Sequence, residues 1–223
     1  MGCSNAPPRL LHAIRASSPR NGRLRLQPMS SDSPTAPLQH LTTAGNEYRT
    51  RLAGVGPDAW TLDTPCEGWS IRDLTAHVVT GNLRVTYLLE GSSVEQAAAL
   101  VDRDLLEDDP LGAFDRSFRA QIQGFSAVGA LERICPHPIG DMPGRALLRF
   151  RTIDLTLHAW DLARATGSSE VLDPALVAHA WREIEPTVSR MGAMGIFGDG
   201  PSGTLPEGAP LQLRLLDASG RRP

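Results

Sequence analysis

Asp154 and His158 stand four residues apart in the stretch RTIDLTLHAWDLARATG, residues 151–167. Residues four apart share one face of a helix, so the carboxylate and the imidazole are neighbours. The stretch has no Pro, and its first Gly is at 167, a natural helix stop. Ile153, Leu155, Leu157, Ala159, Trp160 and Leu162 surround nearly the whole cylinder, which predicts a largely buried helix. A carboxylate and an imidazole on a buried face must pair with each other or bind something. Two helix-borne ligands at i and i+4 make half of a metal site. A satisfied Asp–His hydrogen bond in a core gives the same pattern, and this helix alone leaves both readings open.

A second imidazole comes from TPCEGWSIRDLTAH, residues 64–77. Ser70 followed by Asp73 reads as a capping box, so a helix is predicted from Ile71. Asp73 thereby has a structural role. Leu74, His77, Val78, Gly81, Val85 and Leu88 share one face of this helix. His77 is therefore expected to point into the core, with space beside it at Gly81. A lone His on an apolar face is ordinarily a core histidine. His77 gains weight because Asp154 and His158 also face inward. Trp69 is predicted to staple the helix start. Trp160 lies two residues past His158, so helix twist points it about 160° away from it. Both are expected to be scaffold.

The remaining elements must hold these residues together. Leu38, Leu41, Gly45, Tyr48 and Leu52 form the stripe of a first helix from about Pro37. Val94 to Leu106 reads as a weak helical piece. Asp109 and Pro110 look like an N-cap and first position. Phe114, Phe118, Ile122 and Phe125 then give an aromatic stripe suited to core packing. Residues 129–144 read as a stiff, extended loop; a place for Cys135 and His137 at the site opening is the alternative, and surface residues are the expectation. Asp173–Pro174 starts another helix, which Pro186 ends or kinks. A short apolar helix is expected near Leu211 to Leu216. Strand signals are sparse, so the class is all-α, a four-helix bundle with an additional C-terminal helix and a short tail.

Composition narrows the function. The 223 residues suit one domain plus tails, and 41% hydrophobic residues support a sizeable core. A net charge of −3 predicts no general attraction to nucleic acid or to an anionic membrane. No apolar run is long enough for a transmembrane helix. Cys3, Cys66 and Cys135 are too few and scattered for a disulfide framework, and a reducing cytoplasm is expected. Residues 1–37 are rich in Pro, Ser and Arg and read as a disordered arm, with Met29 as the alternative start. Residues 38–223 are the expected helical bundle. Gly198, Gly200 and Gly203 spell GxGxxG, but no strand precedes it and Pro201 interrupts it, so it is not a dinucleotide motif. All 22 basic residues are Arg, as expected of a GC-rich bacterial genome.

The motifs TPCEGWSIRDLTAH and DLTLHAWDLARATG together resemble the superfamily of DinB and the N-terminal domain of mycothiol-dependent maleylpyruvate isomerase. The ending FGDGP…APLQLRLLDASGRRP is similar to small actinobacterial metal-binding proteins of that group. The resemblance runs from about Leu38 to Pro223. It implies a four-helix bundle holding a divalent metal, zinc or nickel, at one end. Its ligands are a His on the second helix and a carboxylate-x-x-x-His pair on the fourth, matching His77, Asp154 and His158. Many relatives carry Glu or His in place of Asp154, which is shorter than Glu by one methylene. The isomerase also has a C-terminal domain that contributes to its active site. Here only a short tail follows the bundle, so maleylpyruvate isomerase activity is not expected.

Three protein ligands leave a coordination position open. The expectation is a metal-dependent enzyme that activates a low-molecular-weight thiol, mycothiol, for transfer to or isomerisation of an electrophilic substrate. A non-catalytic metal or ligand binder, a metal-dependent hydrolase and a purely structural bundle stay open beside it. A monomer or homodimer is expected.

Overall fold

The protein is described by a computed structural model at residues 36–188 and 200–223. The expected arm up to residue 35 and Gly198 of the GxGxxG run lie outside the described residues. Four long helices form the bundle: α1 (Ala36–Leu52), α2 (Ile71–Leu89), α4 (Pro110–Ser126) and α5 (Gly144–Thr166). Between them lies the short α3 (Val94–Ala98), and α6 (Pro174–Ile184) and α7 (Leu211–Ala218) follow. Helix α1 packs along α5 and α2 along α4, with α2 against α5 and α1 against α4 closing the square. Helix α6 lies on α5 and α1, and α7 lies on α6. The class is all-α, as expected, and among the described residues no helix is long and apolar enough to cross a membrane.

Local chemistry sets the ends of these helices. Ser70 Oγ accepts from the Asp73 N–H and Asp73 Oδ2 accepts from the Ser70 N–H, so the capping box starts α2 at Ile71. Asp109 caps α4 through the Gly112 N–H, with Pro110 in the first turn. Helix α5 ends on Gly167 at φ 65°, a left-handed conformation that costs glycine little. Helix α6 gives way at Glu185–Thr187 to a 3₁₀ turn containing Pro186.

The core joins Leu41, Tyr48 and Leu52 of α1, Leu74 and Val78 of α2, Phe114 and Phe125 of α4, and Leu155, Leu157 and Leu162 of α5. Every residue of α5 from Arg151 to Ala163 is buried, because α1, α2 and α6 all pack on it. Two readings of the sequence need correction. The piece after Val94 leaves the α-helix at Ala98 and becomes a 3₁₀ turn over Ala99–Asp102, well short of Leu106. Residues 129–144 contain a two-residue antiparallel pair, β1 (Ile134–Cys135) with β2 (Met142–Pro143). That pair turns Cys135 inward, so it is buried rather than on the surface.

Candidate metal centre

Helices α2 and α5 bring His77, Asp154 and His158 together, with one ligand atom from each within 4.8 Å of the others. Asp154 Oδ1 lies 3.5 Å from His77 Nε2 and 3.4 Å from His158 Nε2. Both Nε2 atoms are buried, and among the described residues neither has a hydrogen-bond partner. The separations exceed the 2.7–3.2 Å of an N–H···O bond. They match another geometry. Two donor atoms about 2.1 Å from a tetrahedral zinc stand about 3.4 Å apart. The trio therefore fits a metal better than it fits an internal hydrogen-bond network. Neutral imidazoles and a carboxylate are also the donor set that zinc and nickel accept.

Each donor is held from behind. Arg151, one turn before Asp154, donates from Nη1 to Asp154 Oδ2 and leaves Oδ1 toward the imidazoles. Its guanidinium is fixed by Gln121 Oε1 at 3.1 Å, Asn82 Oδ1 at 2.8 Å and the Val78 carbonyl at 3.2 Å. Asn82 donates in turn to Ser117 Oγ. His158 Nδ1 lies 2.8 Å from Asp161 Oδ2, the partner its position three residues later predicts. Asp161 also accepts two hydrogen bonds from Arg221, at 2.9 and 2.6 Å. Arg151 and Arg221 are the residues that sequence reasoning missed. For Arg151 a local signal exists, because it lies at i−3 from Asp154 on the same helix.

The electrostatics follow from burial and these partners. Burial pushes the His77 imidazole below its ordinary value, and the nearby Asp154 only partly offsets this. Burial acts the same way on His158, but Asp154 and Asp161 outweigh it and raise the imidazole. Burial would raise the Asp154 carboxyl, yet the surrounding cationic groups, Arg151 among them, hold it well below the usual range. Asp161 is likewise pulled down by Arg221 and His158 against its burial.

Trp69 is placed by a tight knot. The Thr64 N–H and hydroxyl both donate to the Trp69 carbonyl, and the Trp69 N–H donates to the Cys66 carbonyl. Gly68 makes that turn at φ 75°, where a side chain would be strained. The indole ring lies 4.8 Å from the His77 ring and 6.3 Å from that of His158. It covers the imidazoles, which goes beyond a helix staple. Trp160 does face away. It is buried, carries the Arg164 guanidinium at 4.7 Å over its ring, and lines a cleft of about 470 Å³ that includes none of the trio.

Cys66, His158 and Asp161 form a second cluster of ligand types. It is a poor metal site. Cys66 is disulfide-bonded, against the expectation that the three scattered cysteines stay reduced, so its sulfur offers no thiolate, and Asp161 is already taken by Arg221 and His158. Cys135 is the free cysteine among the described residues, and His137 packs 6.3 Å from the Phe150 ring.

Residues 41–163 match the family model of the mycothiol maleylpyruvate isomerase N-terminal domain. The chain belongs to that family. The match runs from within α1 to within α5 and so contains all three members of the trio. Two Mycobacterium tuberculosis relatives, the uncharacterized protein Rv0738 of strain H37Rv and MT0763 of strain CDC 1551, are each 34% identical over 140 residues. That span is 63% of this chain and 72% of each relative. The crystal structure of the mycothiol-dependent maleylpyruvate isomerase superposes with a TM-score of 0.57 at 17% identity. It covers 71% of this chain and 72% of its own. A histidine-to-alanine mutant of that enzyme gives 0.58 at 16% identity. These superpositions establish the shared fold.

Proposed function

We propose that this protein binds one divalent metal, zinc or nickel, through His77, Asp154 and His158, and uses it to activate a low-molecular-weight thiol for transfer to, or isomerisation of, a small electrophile. The observation that carries this reading is the convergence on one carboxylate oxygen of two buried Nε2 atoms that have no hydrogen-bond partner among the described residues. A divalent metal in such an open site lowers the pKa of a thiol or water and polarises a carbonyl. The chain's own residues prepare that site. His77 and His158 present Nε2, Arg151 turns Oδ1 of Asp154 toward them, and Trp69 packs its ring against the imidazoles.

Mycothiol is the thiol of choice because the family and its solved member are named for it. Hydrolysis is the second reading, and the neighbouring groups disfavour it. Water needs a general base more than a thiol does, since it is the weaker acid. Asp161 is engaged by Arg221 and His158, and Arg151 is a cation, so neither serves as that base. The test is addition of mycothiol to the cobalt-substituted protein. A new sulfur-to-cobalt charge-transfer band is expected. Unchanged absorption at saturating thiol leaves a metal binder and rejects the thiol chemistry.

A further inference from the structure

Arg221 lies sixty residues beyond Asp161 in the sequence, yet its guanidinium is buried against that carboxylate, both side chains being at most 4% exposed. The end of α7 puts it there. The Ser219 and Arg221 N–H groups return to the Leu216 carbonyl, and Gly220 turns the chain at φ 79°. Arg221 Nη1 then donates to the Ser219 carbonyl at 3.1 Å, which fixes the plane of the fork. Nε and Nη2 donate to Oδ1 and Oδ2 of Asp161.

A guanidinium can only donate, so both oxygens of Asp161 are acceptors. His158 Nδ1 contacts the same Oδ2 at 2.8 Å, so it must bring the hydrogen itself. Nε2 of a neutral His158 is then the atom with the free lone pair, and it is the one that faces Asp154. We infer that Arg221 is a positioning residue of the metal centre: through Asp161 it fixes the tautomer and the ring plane of His158. This rests on the metal reading above and deepens it. The α7 segment, outside the matched family region, thereby becomes part of the site.

The test uses the full chain with Arg221→Gln, Arg221→Lys and the double variant Arg221→Gln/Asp161→Asn. Zinc affinity is measured by competition with a chelator, the cobalt d–d spectrum reports the shell, and ¹⁵N NMR of the metal-free protein in mildly alkaline buffer reports the His158 tautomer. Arg221→Gln should weaken zinc roughly 10–100-fold, as loss of an outer-shell partner does, and shift the cobalt bands. Arg221→Lys keeps the charge but not the fork, so it should fold and bind zinc with intermediate affinity. The double variant removes the unbalanced buried charge and should fold, yet its affinity should stay low. Wild-type affinity and cobalt spectrum in Arg221→Gln would overturn the inference. So would full recovery in the double variant, which would make Arg221 a structural counter-ion. Should the wild type take up no metal, the proposed function fails by itself. The NMR then still decides on Arg221: a His158 held as Nδ1–H in the wild type and mixed in Arg221→Gln upholds its role, and an unchanged tautomer ends it.

Discussion

A methyl carbon on Gly81 of α2 would stand 2.3 Å from Nη1 of Arg151 on α5, so the guanidinium fills the space of the missing side chain. The gap that the sequence places beside His77 is thus occupied by the residue that orients Asp154. In free space Gly81→Ala would stabilise α2 by up to about 1 kcal/mol through helix propensity. Here the clash should dominate, since overpacking costs about 1–3 kcal/mol. Displacing Arg151 also releases Asp154 Oδ2. The expected outcome is a net loss of stability in urea unfolding together with weaker zinc binding. A more stable variant with unchanged affinity would show that Arg151 does not hold the carboxylate.

The two tryptophans near the site should separate cleanly. Trp160 is buried on the far side of α5, and its Nε1 has no hydrogen-bond partner among the described residues. Trp160→Phe therefore removes volume but no hydrogen bond, and should cost about 1–3 kcal/mol with zinc affinity kept. Trp69 is half-buried over the imidazoles. Trp69→Leu should cost less stability and speed zinc release, because the apolar cover of a site controls solvent access. Comparing melting curves with zinc off-rates checks both. The opposite pattern would mean that α5 is rotated relative to the ligand assignment.

The parts of the site legible in the sequence are the local ones. Asp154 and His158 are linked by helix periodicity, and the capping box at Ser70 sets the register that puts His77 on the inner face of α2. Arg151 was within reach of the same logic, being three residues from Asp154 and opposite Gly81. Arg221 was not, because its pairing with Asp161 depends on how α6 and α7 fold back onto α5, which no local pattern encodes. Cys135 was misplaced for a similar reason. Proline spacing marks an extended backbone but does not reveal that Ile134–Cys135 pairs with Met142–Pro143 and turns the sulfur inward. The role of Trp69 over the imidazoles emerged from the turn at Gly68, where only the cap was apparent.

Acid should weaken the fold through Asp161. Its carboxyl is held below the ordinary value, because Arg221 and His158 outweigh its burial. As pH falls, the unfolded chain takes up this proton first. The stability due to ionised Asp161 is thus complete above the unfolded pKa of about 3.9 and is lost as pH drops through the lower folded value. Urea unfolding of the metal-free protein from about pH 6 down to about pH 3 should show a steep decline in the wild type. Asp161→Asn/Arg221→Gln should decline less steeply. Parallel slopes would place the acid sensitivity elsewhere.

The central claim is that His77, Asp154 and His158 jointly hold one metal ion. The most direct measurement is elemental analysis of the untagged wild type beside His77→Ala, Asp154→Ala and His158→Ala, each first shown to be folded by its melting curve. The wild type should carry one equivalent of zinc or nickel, and each variant should lose most of it, since two remaining ligands hold such an ion poorly. Folded variants that keep a full equivalent of metal, or a wild type that takes up none when supplied with zinc or nickel, would contradict the account.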